Sequence, residues 1–430
     1  MNKNIIFSIA LSIIFFMFSC SQDDLGVIID YDVPIEIPSI DPVIPTTRVV
    51  SEDQAEAFAN MAIRAILNQQ DNPGTRSATS RATQRTISEV LPIVTEDGIT
   101  VMHAINFADD LGFMILSADK EAHSFMLQFS DTLNFNPAVL VENSPAGEWI
   151  RGAKEMIAQE IQQGITDTTI ESYQLWGNIT GQNEGVEIEI TLVDFPTITE
   201  EPMTRARRRY SLGLATVHPS WWIQRYRWGT GIGYNANAPR PGIYSAGFAA
   251  VAIGLICNHW AFPNRFNFWA MPQVVTTSAP NAVSIMFRDI ADNIPGWRWG
   301  ELWSGTTTDN AITTGLRNLG FWNARLGNYN LNTLHNNLRN GRPVLLGAFD
   351  SLHPAAGRHV WVAHGYWEQR WQVTQRVLGI VVNRWYEFQC MLYMNWGLDG
   401  QLNGWVSENP DSWPLSRTFR VMWYNIYPVW

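Results

Sequence analysis

Cysteine is scarce, with only three in 430 residues, at positions 20, 257 and 390. Thiols so widely spread build no disulfide framework, and no Cys/His group has metal-ligand spacing. The fold must therefore be held by its core, and neither a metal nor another cofactor is expected. Positive charge is short as well. Lys and Arg number 29 against 40 Asp and Glu, a formal net charge of -11, and no basic stretch of domain size occurs. A nucleic-acid partner is not expected, because neutralising phosphates demands a basic footprint. Long apolar runs are missing except at the start, from Ile5 to Phe18, and that run is too short to span a bilayer as a stable helix.

Apolar residues are plentiful. At 46% hydrophobic and 16% charged the chain is globular, and its 20 Trp and 20 Phe imply aromatic-rich packing or an aromatic-lined groove. The length accommodates two folded units and an export segment.

Lys3 and the apolar run read as a signal segment that stops at Ser19-Cys20. A small residue before a cysteine that closes the run resembles the bacterial lipobox, whose cysteine is acylated and becomes the new N-terminus. Met17 and Phe18 depart from its usual residues. Ser21-Gln22-Asp23-Asp24 resembles the acidic tag that directs some bacterial lipoproteins to the cell surface. These resemblances imply a lipoprotein signal segment at 1–20, lipidation of Cys20, and a membrane partner through that anchor at the outer membrane or cell surface.

Residues 21–50, with Pro34, Pro38, Pro42 and Pro45, suit an extended tether. Ser51 ahead of Glu52 and Asp53 predicts a capped helix carrying Ala57, Met61, Ile63, Ile66 and Leu67. Gly74–Thr86 reads as a polar loop. Strand-like alternation runs from Ile87 to Phe135 around a turn at Asp109–Gly112, helical spacing returns at 148–163, and 185–193 alternates again. This predicts a small α+β domain over 51–195. A linker follows at 196–210, where Arg205, Arg207, Arg208 and Arg209 cluster as a solvated stretch or a cleavage site. A Trp-rich domain fills 211–430.

Cysteine-peptidase chemistry needs a thiolate near an imidazolium, usually at a helix N-terminus, together with donors for the oxyanion. Several segments stand in the order such chemistry would use. Gly112–Lys120 (GFMILSADK) lies in the first domain. Trp228–Asn235 (WGTGIGYN), Ser245–Ile253 (SAGFAAVAI), Asn340–Leu345 (NGRPVL), Gly357–Tyr366 (GRHVWVAHGY) and Met394–Gly397 (MNWG) follow in the second. Together they resemble the streptopain family of cysteine peptidases, including its propeptide strand. That resemblance implies an α+β fold: a small propeptide-like domain preceding a papain-like domain with a helical half and a twisted antiparallel sheet. It makes His359 the general base, with Asn395 and Trp396 lining the site and orienting it.

The departures fall on the chemistry. Phe248 stands at the nucleophile position, Thr230 at the oxyanion glutamine, and Leu398-Asp399 where the family reads Trp-Gly. Phenylalanine has no nucleophilic atom. Cys257, nine residues on, falls on the opposite helix face toward the core, Cys390 reads as a buried strand cysteine, and Ser245 lacks helix-start geometry. His359 could equally be a structural histidine packed on Trp396, and His364 has no evident partner. The expectation is a proteolytically silent homologue whose cleft binds peptide or protein. The alternatives are an active peptidase with another nucleophile and a surface adhesin or glycan-binding module.

Overall fold

The structure, a computed structural model, describes residues 48–70, 85–122, 125–140, 144–164, 171–180, 186–193, 217–301, 303–305, 308–349, 358–408 and 421–429. The signal segment with Cys20, most of the tether, and the linker at 196–210 lie outside the described residues.

Helix α1 (Glu52–Gln70) opens on a capping box. Ser51 Oγ accepts from the Gln54 amide at 3.3 Å while Gln54 Oε1 accepts from the Ser51 amide at 3.0 Å. Its Ala55, Phe58, Ala59, Ala62, Ile63 and Ile66 recur at helical spacing and are buried. The fold begins earlier than the sequence predicts. Arg48 is buried against Asp119, with its Nε 2.6 Å from Oδ1 and its Nη2 2.7 Å from Oδ2, and Val50 is fully buried, so the tether ends before Arg48.

Four strands follow as an antiparallel meander: β1 (Ile87–Val94), β2 (Thr100–Phe107), β3 (Phe113–Ser117) and β4 (Met126–Ser130). Gly112 opens β3 at φ 108°, where an added β-carbon would fall 2.0 Å from the Ser130 carbonyl oxygen. Helix α2 (Pro145–Gln162) is capped by Ser144, whose hydroxyl accepts from the Gly147 amide at 3.1 Å. Helix α3 (Glu171–Asn178) and β5 (Val186–Leu192) complete this half.

The second half supplies the short α4 (Trp221–Gln224), α5 (Phe248–Trp260), α6 (Ala282–Asn293), α7 (Asp309–Asn318), β6 (Arg325–Asn328) and α8 (Leu331–Arg339). Strands β7 (Val344–Phe349), β8 (Arg358–Val377), β9 (Ile380–Asn395), β10 (Gly404–Ser407) and β11 (Val421–Tyr424) end it. Among the described residues eleven strands form one antiparallel sheet in the order β1-β2-β3-β4-β10-β9-β8-β7-β11-β6, with β5 paired to β8.

The sheet joins strands from both sides of the linker expected at 196–210. β4 pairs with β10, and β5 pairs with β8 over seven residues, so the sheet crosses the expected boundary. The reason is the length of the β8–β9 hairpin. Among the described residues its outer part pairs with no strand of the second half, and its Trp371, Val373 and Trp385 pack with α1, α3 and β5.

Alternation along β8 sorts the two faces. Val360 and Val362 join the cluster of α5, α6 and α7, whereas Trp361 and Ala363 join that of α2 and α8. Helix α5 is buried nearly all round. Its Ile253, Leu255 and Ile256 are each fully covered, a burial that stabilises by about 1.5–3 kcal/mol per side chain.

Candidate functional site

Helix α5 starts on Gly247, at φ 84°, and an added β-carbon there would meet the Ser304 carbonyl oxygen at 2.4 Å and the Trp297 ring at 2.8 Å. The tight turn puts residue 248 at the first helical position, where main-chain amides and the helix dipole would favour a thiolate. The residue there is Phe248, half-buried. Its ring centroid lies 5.8 Å from that of His359, inclined at 60°. The structure thus brings the nucleophile position and the family base together, with a hydrocarbon ring in place of sulfur. His359 is held on β8, opposite Ala348 of β7, and is only 3% exposed.

Asn395 and Trp396 follow on the end of β9 and the turn after it. Asn395 Nδ2 donates to the Ile223 and Tyr226 carbonyl oxygens at 3.3 and 3.1 Å, and its Oδ1 accepts from the Gly397 amide at 3.1 Å. Its carboxamide thereby fixes the chain around α4. Trp396 is fully buried, 5.2 Å from Trp361 and 6.4 Å from Trp149 of α2. It belongs to the core beneath the site, and the first half of the chain closes over it.

Thr230 is half-buried, and its carbonyl oxygen accepts from the Ala246 amide at 2.9 Å, which ties the oxyanion segment to the start of α5. Beside it lies a feature that sequence reasoning noticed only as a departure. Asp399 adopts φ 54°, a left-handed conformation that suits glycine and that Asp tolerates. Its carboxyl sits 2.4–2.5 Å from where a β-carbon on Gly229 would lie, and its amide donates to the Trp228 carbonyl oxygen at 3.3 Å. The Tyr234 hydroxyl, which donates to the Arg227 carbonyl oxygen at 2.8 Å, is pushed up to about 12, chiefly by burial and in smaller part by Asp399. A carboxyl group thus sits beside Gly229, the chain neighbour of Thr230. The replacement of a family glycine was the signal that could have flagged it.

Other nucleophiles are placed away from this chemistry. Cys257 is wholly buried and burial drives its thiol far above the usual range. Cys390 is 8% exposed and its thiol is pushed up to about 12 by burial. The Ser245 hydroxyl accepts from the Gly247 amide at 3.1 Å, so it braces the turn. His364 is buried against Tyr393, and burial lowers it to about 3. Among the described residues no His, Cys, Asp and Glu group could hold a metal ion. A small apolar recess of about 20 Å³, lined by Phe58, Phe125, Trp371 and Val373 with Glu387 and Gln389 at its wall, lies between α1 and the β8–β9 hairpin.

No family model matches this sequence, and no curated protein matches it. Among solved structures, a fragment of prointerpain A from Prevotella intermedia with a cysteine-to-alanine substitution is similar over 80% of this chain and 100% of its own, at 16% identity and a TM-score of 0.51. Active wild-type interpain A cysteine protease from the same organism is similar over 47% of this chain and 93% of its own, at 17% identity and a TM-score of 0.36. The first of these likenesses shows the fold: mixed helices and antiparallel sheet, similar to a papain-like protease.

Proposed function

We propose that this chain is a proteolytically silent, surface-tethered relative of the streptopain-type cysteine peptidases, and that it holds peptide or protein in its cleft without cutting it. The observation that carries this reading is the Phe248 ring on His359, 5.8 Å between centroids. Covalent catalysis needs a nucleophilic atom at that point, and a phenyl ring has none.

Two further observations support it. Thr230 offers a weaker donor than a glutamine amide. Asp399 sets negative charge beside the oxyanion segment, where a tetrahedral intermediate needs hydrogen-bond donors. In this reading residues 51–195 are the counterpart of the propeptide and remain with the rest of the chain. Cys20 carries the lipid that holds the protein at the outer membrane or cell surface.

The test is a casein digest with the chain from Ser21 onward. The unaltered protein is expected to leave casein intact, and Phe248→Cys combined with Thr230→Gln and Asp399→Gly is expected to cut it. Cleavage by the unaltered protein that vanishes in His359→Ala would overturn the reading.

A further inference from the structure

A serine and a histidine meet at the far end of α5, eleven residues from Phe248 and so about 16 Å away along the helix. Ser220 Oγ lies 2.8 Å from His259 Nδ1, and His259 Nε2 lies 3.1 Å from the carbonyl oxygen of Gly341. A carbonyl oxygen only accepts, so Nε2 carries the hydrogen. In the neutral ring Nδ1 is then a bare acceptor, and the Ser220 hydroxyl donates to it. Burial lowers the basicity of His259, with the Gly341 carbonyl partly opposing that, which keeps the ring neutral at ordinary pH and able to take a proton.

Nucleophile, base and orienter thus stand in one hydrogen-bonded row, the arrangement by which a serine is activated. Each member is fixed independently. The Ser220 amide donates to the His364 carbonyl oxygen at 3.3 Å, and its own carbonyl accepts from the Ile223 and Gln224 amides. The His259 ring is braced edge-on by Trp260, 4.7 Å between centroids at 78°. The serine is half-buried rather than enclosed, and its neighbours Trp221 and Trp222 are 59% and 41% exposed, offering apolar surface to an acyl chain. In sequence the two residues are 39 apart and belong to no motif.

We infer that Ser220 and His259 form a second reactive site, separate from the Phe248 cleft and independent of the reading given to it, which hydrolyses small acyl esters. Ser220 Oγ bonds to the acyl carbon as its proton passes to His259 Nδ1. The tetrahedral alkoxide collapses, the carbon–oxygen bond to the alcohol breaks, and the departing alcohol takes that proton. Water then repeats the sequence on the acyl-serine, releasing the acid and restoring the hydroxyl.

The experiment is to treat the folded full chain with a fluorophosphonate probe and locate the adduct by peptide mass spectrometry. A stoichiometric adduct on Ser220 is expected, absent in Ser220→Ala and formed roughly a hundredfold more slowly in His259→Gln, the scale of general-base assistance. No adduct on Ser220, or one that forms at an unchanged rate in His259→Gln, would overturn the proposal and leave the hydrogen bond as a staple between two segments. Should His259→Gln fail to fold, the pH profile of labelling of the unaltered chain decides. A rate that titrates at or below the range of a free imidazole supports the dyad, and one that rises only with alcohol ionisation overturns it.

Discussion

The carboxyl group of Asp399 fills the space into which a β-carbon on Gly229 would project, 2.4 Å from that point. Position 229 is therefore closed to any larger residue while Asp399 stays. Gly229→Ala is expected to lower stability by about 1 kcal/mol, the low end for overpacking, since a carboxyl can rotate away. In an Asp399→Gly background the same substitution should be close to neutral. Urea midpoints of the four proteins in this cycle measure the coupling.

Arg48 and Asp119 make a two-pronged pair at 2.6 and 2.7 Å with both side chains almost wholly buried. Arg48 also serves Glu121, its Nη1 lying 3.0 Å from Oε2, so losing Asp119 leaves it a carboxylate while losing Arg48 strands Asp119. Arg48→Ala is expected to cost about 3–5 kcal/mol and Asp119→Ala clearly less. Equilibrium denaturation of the chain from Ser21 distinguishes the two cases.

Two buried histidines predict a loss of stability in acid. Burial, with a smaller push from Arg339, lowers His335 to about 4, and burial, with a smaller push from His259, lowers His364 to about 3. The unfolded chain binds these protons near pH 6.5 and the folded chain does not. Between roughly pH 6.5 and 3 the unfolded state thus holds more protons, and stability falls as pH falls. Denaturant midpoints measured from pH 7 to pH 4 should decline, with a shallower slope in His335→Gln and His364→Gln.

Cys257 and Cys390 are both buried free thiols, raised in pKa by that burial. Neither should react with a thiol reagent at pH 8 in the folded chain from Ser21, and both should react in denaturant. Rapid labelling of either thiol in the native protein would contradict their placement.

Much of the second half was legible in the sequence because its signals are local. An apolar helix opening after Gly247, a strand holding His359, and a turn after Asn395 each announce themselves within a dozen residues. The meander around Gly112 and the helix capped by Ser51 were equally readable, while the reciprocal bond from Gln54 was not read. What escaped depends on partners distant in sequence. The Asn395 carboxamide binds the carbonyl groups of Ile223 and Tyr226, some 170 residues earlier. The joining of the two halves in one sheet rests on the match of β5 with β8 and of β4 with β10, which alternation within a single strand cannot specify. The Ser220 and His259 contact likewise arises only when α5 is laid beside the turn that precedes α4.

The pairing of β5 with β8 has a mechanical consequence. A break in the chain between residues 193 and 217 would cut the covalent thread but leave seven residue pairs of that ladder, the β4 and β10 junction, and the Trp176, Trp371 and Trp385 cluster in place. The two pieces would behave as a two-chain protein zipped along a common sheet. A load applied at Arg48 would have to shear strands rather than lift off a lid.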